Sequence, residues 1–273
     1  MTSHVFDQAI ALTPTANSVY TGATSPAYAN MVGPFGGVSA ATLLNAVLQH
    51  PALLGEPVAL TANFCAALAD GPFVVTAQPA RTNRSTQHWV MHIAQAGADG
   101  RPETVMTATA VTAARRETWG VDDEPMPAVP APEAVAPPAQ AALVEWIKRY
   151  DFRFIAGRIP AVWDGGGDDS LTQLWMRDAE PRALDFCSLT ALADVFFPRA
   201  WLRRATRVPA GTVSMTVYFH AGAAPLASCG TGWVLGQARA QAFRNGFFDQ
   251  TAQIWSETGH LLATSHQVVY YKN

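Results

Sequence analysis

Hydrophobic and polar positions fall into the same order twice along this chain: one long uncharged stretch, then several alternating runs. Val38 to His50 reads VSAATLLNAVLQH, with Gly36-Gly37 before it and Pro51 after it, and predicts a helix. Between Gln8 and Gly55 there is no Asp, Glu, Lys or Arg, and the first basic residue is Arg81. A helix without charge on any face is buried on all sides. A sheet wrapped around it achieves that in a soluble protein.

The following runs supply that sheet. Val58 to Phe64, Phe73 to Pro79, Gln87 to Gln95 and Thr104 to Thr112 are rich in Val, Thr and aromatics, with turns at Asp70-Gly71 and Asp99-Gly100. Residues 121–140 then break the pattern with six prolines and many alanines, which predicts an extended, solvated linker. A short helix from Ala141 to Arg149 and strands at Tyr150 to Arg158 and Ser170 to Arg177 come next. Leu184 to Phe197 is again an almost uncharged helix, ended by Pro198. Strands follow at Thr212 to His220, Gly232 to Ala242, Phe247 to Trp255 and Leu261 to Tyr271.

The two halves superimpose by eye. PVALTANF (57–64) lies over TVSMTVYF (212–219), SAATLLNAVL (39–48) over SLTALADVFF (188–197), and VMTATAV (105–111) over LATSHQV (262–268). The offsets are 155, 149 and 157 residues, so they differ only through loop lengths. A repeat this long means two copies of one domain. The expected organisation is 1–118, a Pro/Ala-rich linker over 119–142, and 143–273.

Composition narrows the classes. Of the 273 residues, 49% are hydrophobic and 14% charged, enough for a large core without disulfides or metals. A net charge of -3 argues against a nucleic-acid binder. Cys65, Cys187 and Cys229 are odd in number and far apart, so neither a disulfide framework nor a zinc site is expected, and Cys65 and Cys187 read as small core residues. GVSAA (37–41) lacks the final glycine of a GxSxG elbow, and His88 and His92 lie in a strand without HExxH. No metal and no redox cofactor are expected. The N-terminus carries no Lys or Arg and no long apolar span occurs, which predicts a soluble, cytoplasmic protein without membrane contact.

A long apolar helix held by an antiparallel sheet, twice over, is a tandem hotdog of the α+β class: two antiparallel sheets, each wrapped around a helix. The chain resembles the double-hotdog acyl-CoA thioesterases of the bacterial thioesterase II type. The resemblance rests on GPFGGVSA (33–40), RTNRSTQHWVMHIAQ (81–95), LDFCSLTALAD (184–194), TVSMTVYFH (212–220) and LLATSHQ (261–267). It implies an acyl-CoA substrate, with CoA as part of that substrate and no separate cofactor, and a homodimer of double-hotdog chains. The family often has His where Phe35 stands, which puts the pocket entrance and chain preference in question.

Asp194 is the most informative residue. Its helical neighbours Thr190, Ala191, Phe197 and Pro198 include no cation. It therefore reaches solvent, pairs with Arg199 beyond the helix end, or sits in a functional pocket with a shifted pKa. Its first-half counterpart is Asn45. Gln267 lies over Ala110 and Thr212 over Pro57, so each is functional-looking only in the second half; each also suits an ordinary strand position. The resemblance implies that Asp194, Thr212 and Gln267 orient and activate a water, giving one site per chain. Backbone N–H groups of Gly36 and Gly37 would then meet the oxyanion, although a glycine pair also suits a tight turn. Arg199 and Arg203, within PRAWLRRATR (198–207), are candidates for the phosphates of CoA, or simply solvated cations at a helix end. Two rivals remain: an enoyl-thioester hydratase or dehydratase using His220 or His266, and a non-catalytic acyl-CoA binder. Strand alternation puts His266 on the face opposite Gln267.

Overall fold

A computed structural model describes residues 3–139 and 143–272. The first half begins with a short helix α1 (Val5–Ala9) and a hairpin, β1 (Thr13–Ala16) and β2 (Val19–Ala23), elements that the polar-apolar pattern does not announce. Helix α2 (Gly36–Leu48) follows, then β3 (Glu56–Phe64), β4 (Pro72–Thr82), β5 (Thr86–Ala96) and β6 (Pro102–Ala113). The second half runs β7 (Tyr150–Ala156), β8 (Thr172–Asp178), α3 (Phe186–Leu192), α4 (Arg199–Arg204), β9 (Ala210–Phe219), α5 (Ala223–Cys229), β10 (Val234–Arg239), β11 (Phe243–Arg244), β12 (Phe247–Ser256) and β13 (Leu261–Tyr271).

The two sheets are joined edge to edge into one antiparallel sheet. Its order is β1-β2-β4-β5-β6-β3-β9-β13-β12-β10-β8-β7, with β11 pairing off β12. The order reads as a mirrored repeat about the β3–β9 seam. At that seam Thr61 lies opposite Thr216, and their hydroxyls hydrogen-bond at 3.0 Å. These two residues are separated by the 155-residue offset of the repeat itself. The seam is therefore the axis relating the halves, and pairing the two central edges removes the exposed ladders each sheet would otherwise carry.

The helices lie against the concave face and against each other. Leu43, Leu44 and Val47 of α2 and Leu189 and Ala191 of α3 are wholly buried in one core cluster that spans both halves. Each fully buried Leu contributes roughly 1.5–3 kcal/mol. Helix α3 is much shorter than the expected Leu184 to Phe197. Asp185 caps its start, accepting from Ser188 N at 2.8 Å while Ser188 Oγ accepts from Asp185 N. It stops at Leu192, six residues before Pro198. Asp194 N instead donates to Ala191 O in a tighter turn at 3.1 Å.

The Pro/Ala-rich segment is not a free linker. Glu124 O accepts from the Trp255 indole at 3.3 Å and Pro130 O from the Trp175 indole at 2.8 Å. Met126, Val129 and Val135 pack on Trp175, Trp233, Leu235 and Trp255. The segment is a strap over the outer face of the second sheet. Proline-rich backbone makes few internal hydrogen bonds, so its carbonyls stay free to accept from indoles. Of the expected Ala141 to Arg149 helix, residues 141–142 lie outside the described residues, and Glu145–Arg149 forms a 3-10 turn. Cys187 is buried, but Cys65 is exposed, so only the former is a core residue.

Candidate active site

Three side chains from three elements converge where the C-terminal end of α3 meets the N-terminal end of α2. Asp194 stands just past α3. Gln267 stands in the middle of β13, 3% exposed. Its Nε2 donates to Asp194 Oδ1 at 2.9 Å, with longer contacts to Ala193 O at 3.5 Å and Met215 Sδ at 3.4 Å. The Thr212 hydroxyl donates to Gln267 Oε1 at 3.2 Å. The result is a hydrogen-bonded chain from Thr212 through Gln267 to Asp194.

Thr212 reaches this face because of a β-bulge. In the β9–β13 ladder Ser214 pairs with Val268 and Thr212 with Val269, leaving Val213 unpaired. Without that extra residue the alternation of buried Met215 and Val217 would place Val213 inward and Thr212 outward. The first half carries the same bulge at Val58, between Pro57 and Ala59. Pro57, at the position of Thr212, is a residue tolerated at bulges; it is the sequence signal for the kink.

The carboxylate of Asp194 also meets the start of α2. The Gly37 N–H donates to it, and a Cβ built on Gly36 would stand 2.7 Å from Oδ2. A Cβ on Gly37 would stand 2.7 Å from Ala191 O and from the Phe35 ring. Both glycines are therefore close-approach positions, and α2 has no side-chain cap of its own. Asp194 fills that role from the other half of the chain, at the positive end of the α2 dipole. The expectation that Gly37 serves an oxyanion is revised accordingly: its N–H holds the carboxylate. Burial pushes the Asp194 pKa up to about 7, against the opposing pull of the Gln267 and Gly37 hydrogen bonds. A half-buried carboxylate titrating near neutrality is well matched to taking a proton from water.

Arg199 does not belong to this site, which corrects the expected contact with CoA. It is fully buried, and its guanidinium donates to Phe197 O, Ser170 O and Thr172 Oγ1 at 2.5–3.1 Å. It ties α4 to β8, nor does it pair with Asp194. Arg203 is exposed on α4 and donates to Gly167 O at 3.0 Å. Among the described residues, no three His, Cys, Asp or Glu side chains are grouped as a metal site, and no helix is long and apolar enough to cross a membrane.

With this geometry in view, two family models match. The model for the acyl-CoA thioesterase N-terminal domain covers residues 25–113, and that for the acyl-CoA thioesterase C-terminal domain covers 122–271. The chain belongs to the acyl-CoA thioesterase family. The strap over 122–139 lies within the C-terminal match. Among solved structures, a conserved protein of unknown function with a hot dog fold from Alicyclobacillus acidocaldarius is 44% identical, with a TM-score of 0.93 over 100% of this chain and 99% of that one. A putative thioesterase II from Thermobifida fusca YX is 18% identical, with a TM-score of 0.80 over 98% of each chain. The acyl-CoA thioesterase II TesB2 from Mycobacterium marinum is 17% identical, with a TM-score of 0.78 over 98% of each chain. A comparison against curated proteins returns no match.

In this family member the first-half counterpart of the site is filled. Asn45 lies inside α2 and donates from Nδ2 to Ile10 O at 2.8 Å. The N-terminal segment that carries Ile10 also buries Phe6 completely. Pro57 and Ala110 offer no hydroxyl or amide. One chain thus holds one assembled constellation, with groups from both halves.

Proposed function

We propose that this thioesterase-family protein hydrolyses an acyl-CoA to the free acid and CoA by direct attack of water. The observation that carries the reading is the Thr212–Gln267–Asp194 chain ending in a carboxylate with a pKa near 7. Gln267 has its amide hydrogens engaged, so it positions the other two groups. The Thr212 hydroxyl donates to Gln267, which leaves its lone pairs to accept from a water. Asp194 takes a proton from that water as its oxygen bonds to the thioester carbon. The carbonyl pair moves onto oxygen, then returns as the carbon–sulfur bond breaks. The CoA thiolate leaves and recovers the proton. Holding the water in place supplies much of the rate. In this reading water, and not a side chain, attacks the thioester carbon, so no covalent acyl-enzyme forms. Arg203, exposed on α4, is the cation proposed to meet the phosphates of CoA.

The enoyl-thioester hydratase reading needs a histidine beside the carboxylate. His266 faces out of the sheet and lies 3.5 Å from Asp249, while His220 is exposed and bonded to Thr264 Oγ1 at 3.0 Å. Neither position supports it. The test is CoA release, followed with a thiol reagent over acyl-CoAs from short to long, beside loss of the enoyl chromophore for crotonyl-CoA. Release of CoA with free acid is expected. Hydration of the enoyl group without CoA release, or tight binding without turnover, overturns the reading.

A further inference from the structure

Gln250 stands directly opposite Gln267 in the β12–β13 ladder, so the two side chains share the inward face. It is 1% exposed, and its Nε2 has no hydrogen-bond partner. Other buried glutamines behave differently. Gln87, also 1% exposed, donates to Ala52 O and Thr82 Oγ1 and accepts from Leu54 N, all within 2.9 Å. Gln267 is engaged at both ends of its amide. A buried donor left unpaired is costly, and native proteins keep one where a ligand or water completes it.

The first half is an internal control. There Trp89 lies opposite Ala110, as Gln250 lies opposite Gln267. The Trp89 indole is 1% exposed and donates to Thr112 Oγ1 at 3.1 Å, so the space is filled and nothing polar is left over. The repeated fold therefore accepts a large apolar and a small residue at this pair of positions. The polar pair occurs in the half that holds Asp194 and Thr212, and the architecture does not require it.

Donor availability narrows its use. The Gly37 N–H is turned to Asp194, and the Gln267 amide hydrogens are engaged. Gln250 Nε2, on the residue paired with Gln267, is an unengaged donor. We propose that Gln250 is a further catalytic residue, whose amide N–H donates to the carbonyl oxygen of the bound acyl thioester and holds the negative charge that builds there. This rests on the reading of the site as a thioester hydrolase. Gln250 keeps both its hydrogens throughout; the electron pair moves onto the carbonyl oxygen as water adds and leaves it as the carbon–sulfur bond breaks.

The test compares wild type with Gln250→Leu and Gln250→Met, which keep bulk without the donor. Intact folding is checked by thermal unfolding, and Gln250→Met serves if the leucine variant does not fold. On the best acyl-CoA substrate, kcat is expected to fall on the order of 100-fold while KM changes little. Binding gives an independent reading. A ketone analogue, with a methylene in place of sulfur, keeps the carbonyl; an S-alkyl-CoA lacks it. The variants are expected to lose affinity for the ketone by about 10-fold and to bind the S-alkyl-CoA as wild type does, matching one lost hydrogen bond. Unchanged kcat in an active enzyme, or equal losses for both analogues, overturns the proposal. A wild type that releases no CoA sinks the hydrolase reading, while the ketone and S-alkyl comparison still decides whether Gln250 meets a carbonyl.

Discussion

A methyl group on Gly36 would stand 2.7 Å from Oδ2 of Asp194. Gly36 opens the helix of the first half, and Asp194 follows the helix of the second. The Asp194 carboxylate is thus held by an amide from its own half, Gln267, and by the helix start of the other. Neither half alone completes the constellation.

Gly36→Ala is expected to displace the Asp194 carboxylate, because a Cβ there also meets the Phe64 ring at 3.3 Å and has no room to yield. An ångström-scale shift of a catalytic group costs up to about 100-fold in rate. Measured kcat should fall at least ~10-fold, with KM little changed. Gly37→Ala presses on the Ala191 backbone and the Phe35 ring and should act on stability instead, lowering it by about 1–3 kcal/mol in urea unfolding.

The pH dependence follows from the raised pKa of Asp194. The active form is the carboxylate, so kcat should climb with pH through an apparent pKa of about 7 and then level off. Stability runs the other way. The unfolded carboxyl titrates near 3.8 and the folded one near 7, so between those values the native state binds more protons. Rising pH through that window therefore removes stability. Asp194→Asn should gain stability relative to wild type between pH 5 and pH 8, by on the order of 1–2 kcal/mol. Urea unfolding of both proteins at the two pH values checks the sign.

Arg199 and Arg203 of α4 should separate cleanly. Arg199→Met leaves Phe197 O, Ser170 O and Thr172 Oγ1 without their buried donor, at an expected cost of about 2–4 kcal/mol in unfolding free energy. The KM for acyl-CoA should hold in the folded fraction. Arg203→Ala should leave stability within about 0.5 kcal/mol. It should raise KM, and more at low salt than at high, as a screened phosphate contact does.

Much of this was legible in the sequence, for identifiable reasons. Uncharged α2 and the Leu261 to Tyr271 strand follow from periodicity alone. The repeat offset of 155 residues is realised as the Thr61–Thr216 pair on the seam. Asp194 stood out because no cation lies within a helical turn of it. What stayed hidden depends on contacts between distant segments. Arg199 reads as a surface cation until its carbonyl partners from Phe197 and Ser170 are in place. The strap over the tryptophans reads as a linker because prolines suit both. Thr212 faces inward through a bulge, and strict alternation gives no hint of one. Gln250 looks like any strand glutamine until its register against Gln267 is known.

The central claim is that Asp194 is the base for thioester hydrolysis. The most direct test is CoA release by wild type and Asp194→Asn on the best substrate from the acyl-CoA panel, with folding of both verified. The expected result is turnover by wild type and a loss of at least ~100-fold in kcat for the asparagine variant. Equal turnover by the two proteins would contradict the account, since hydrolysis would then proceed without the carboxylate.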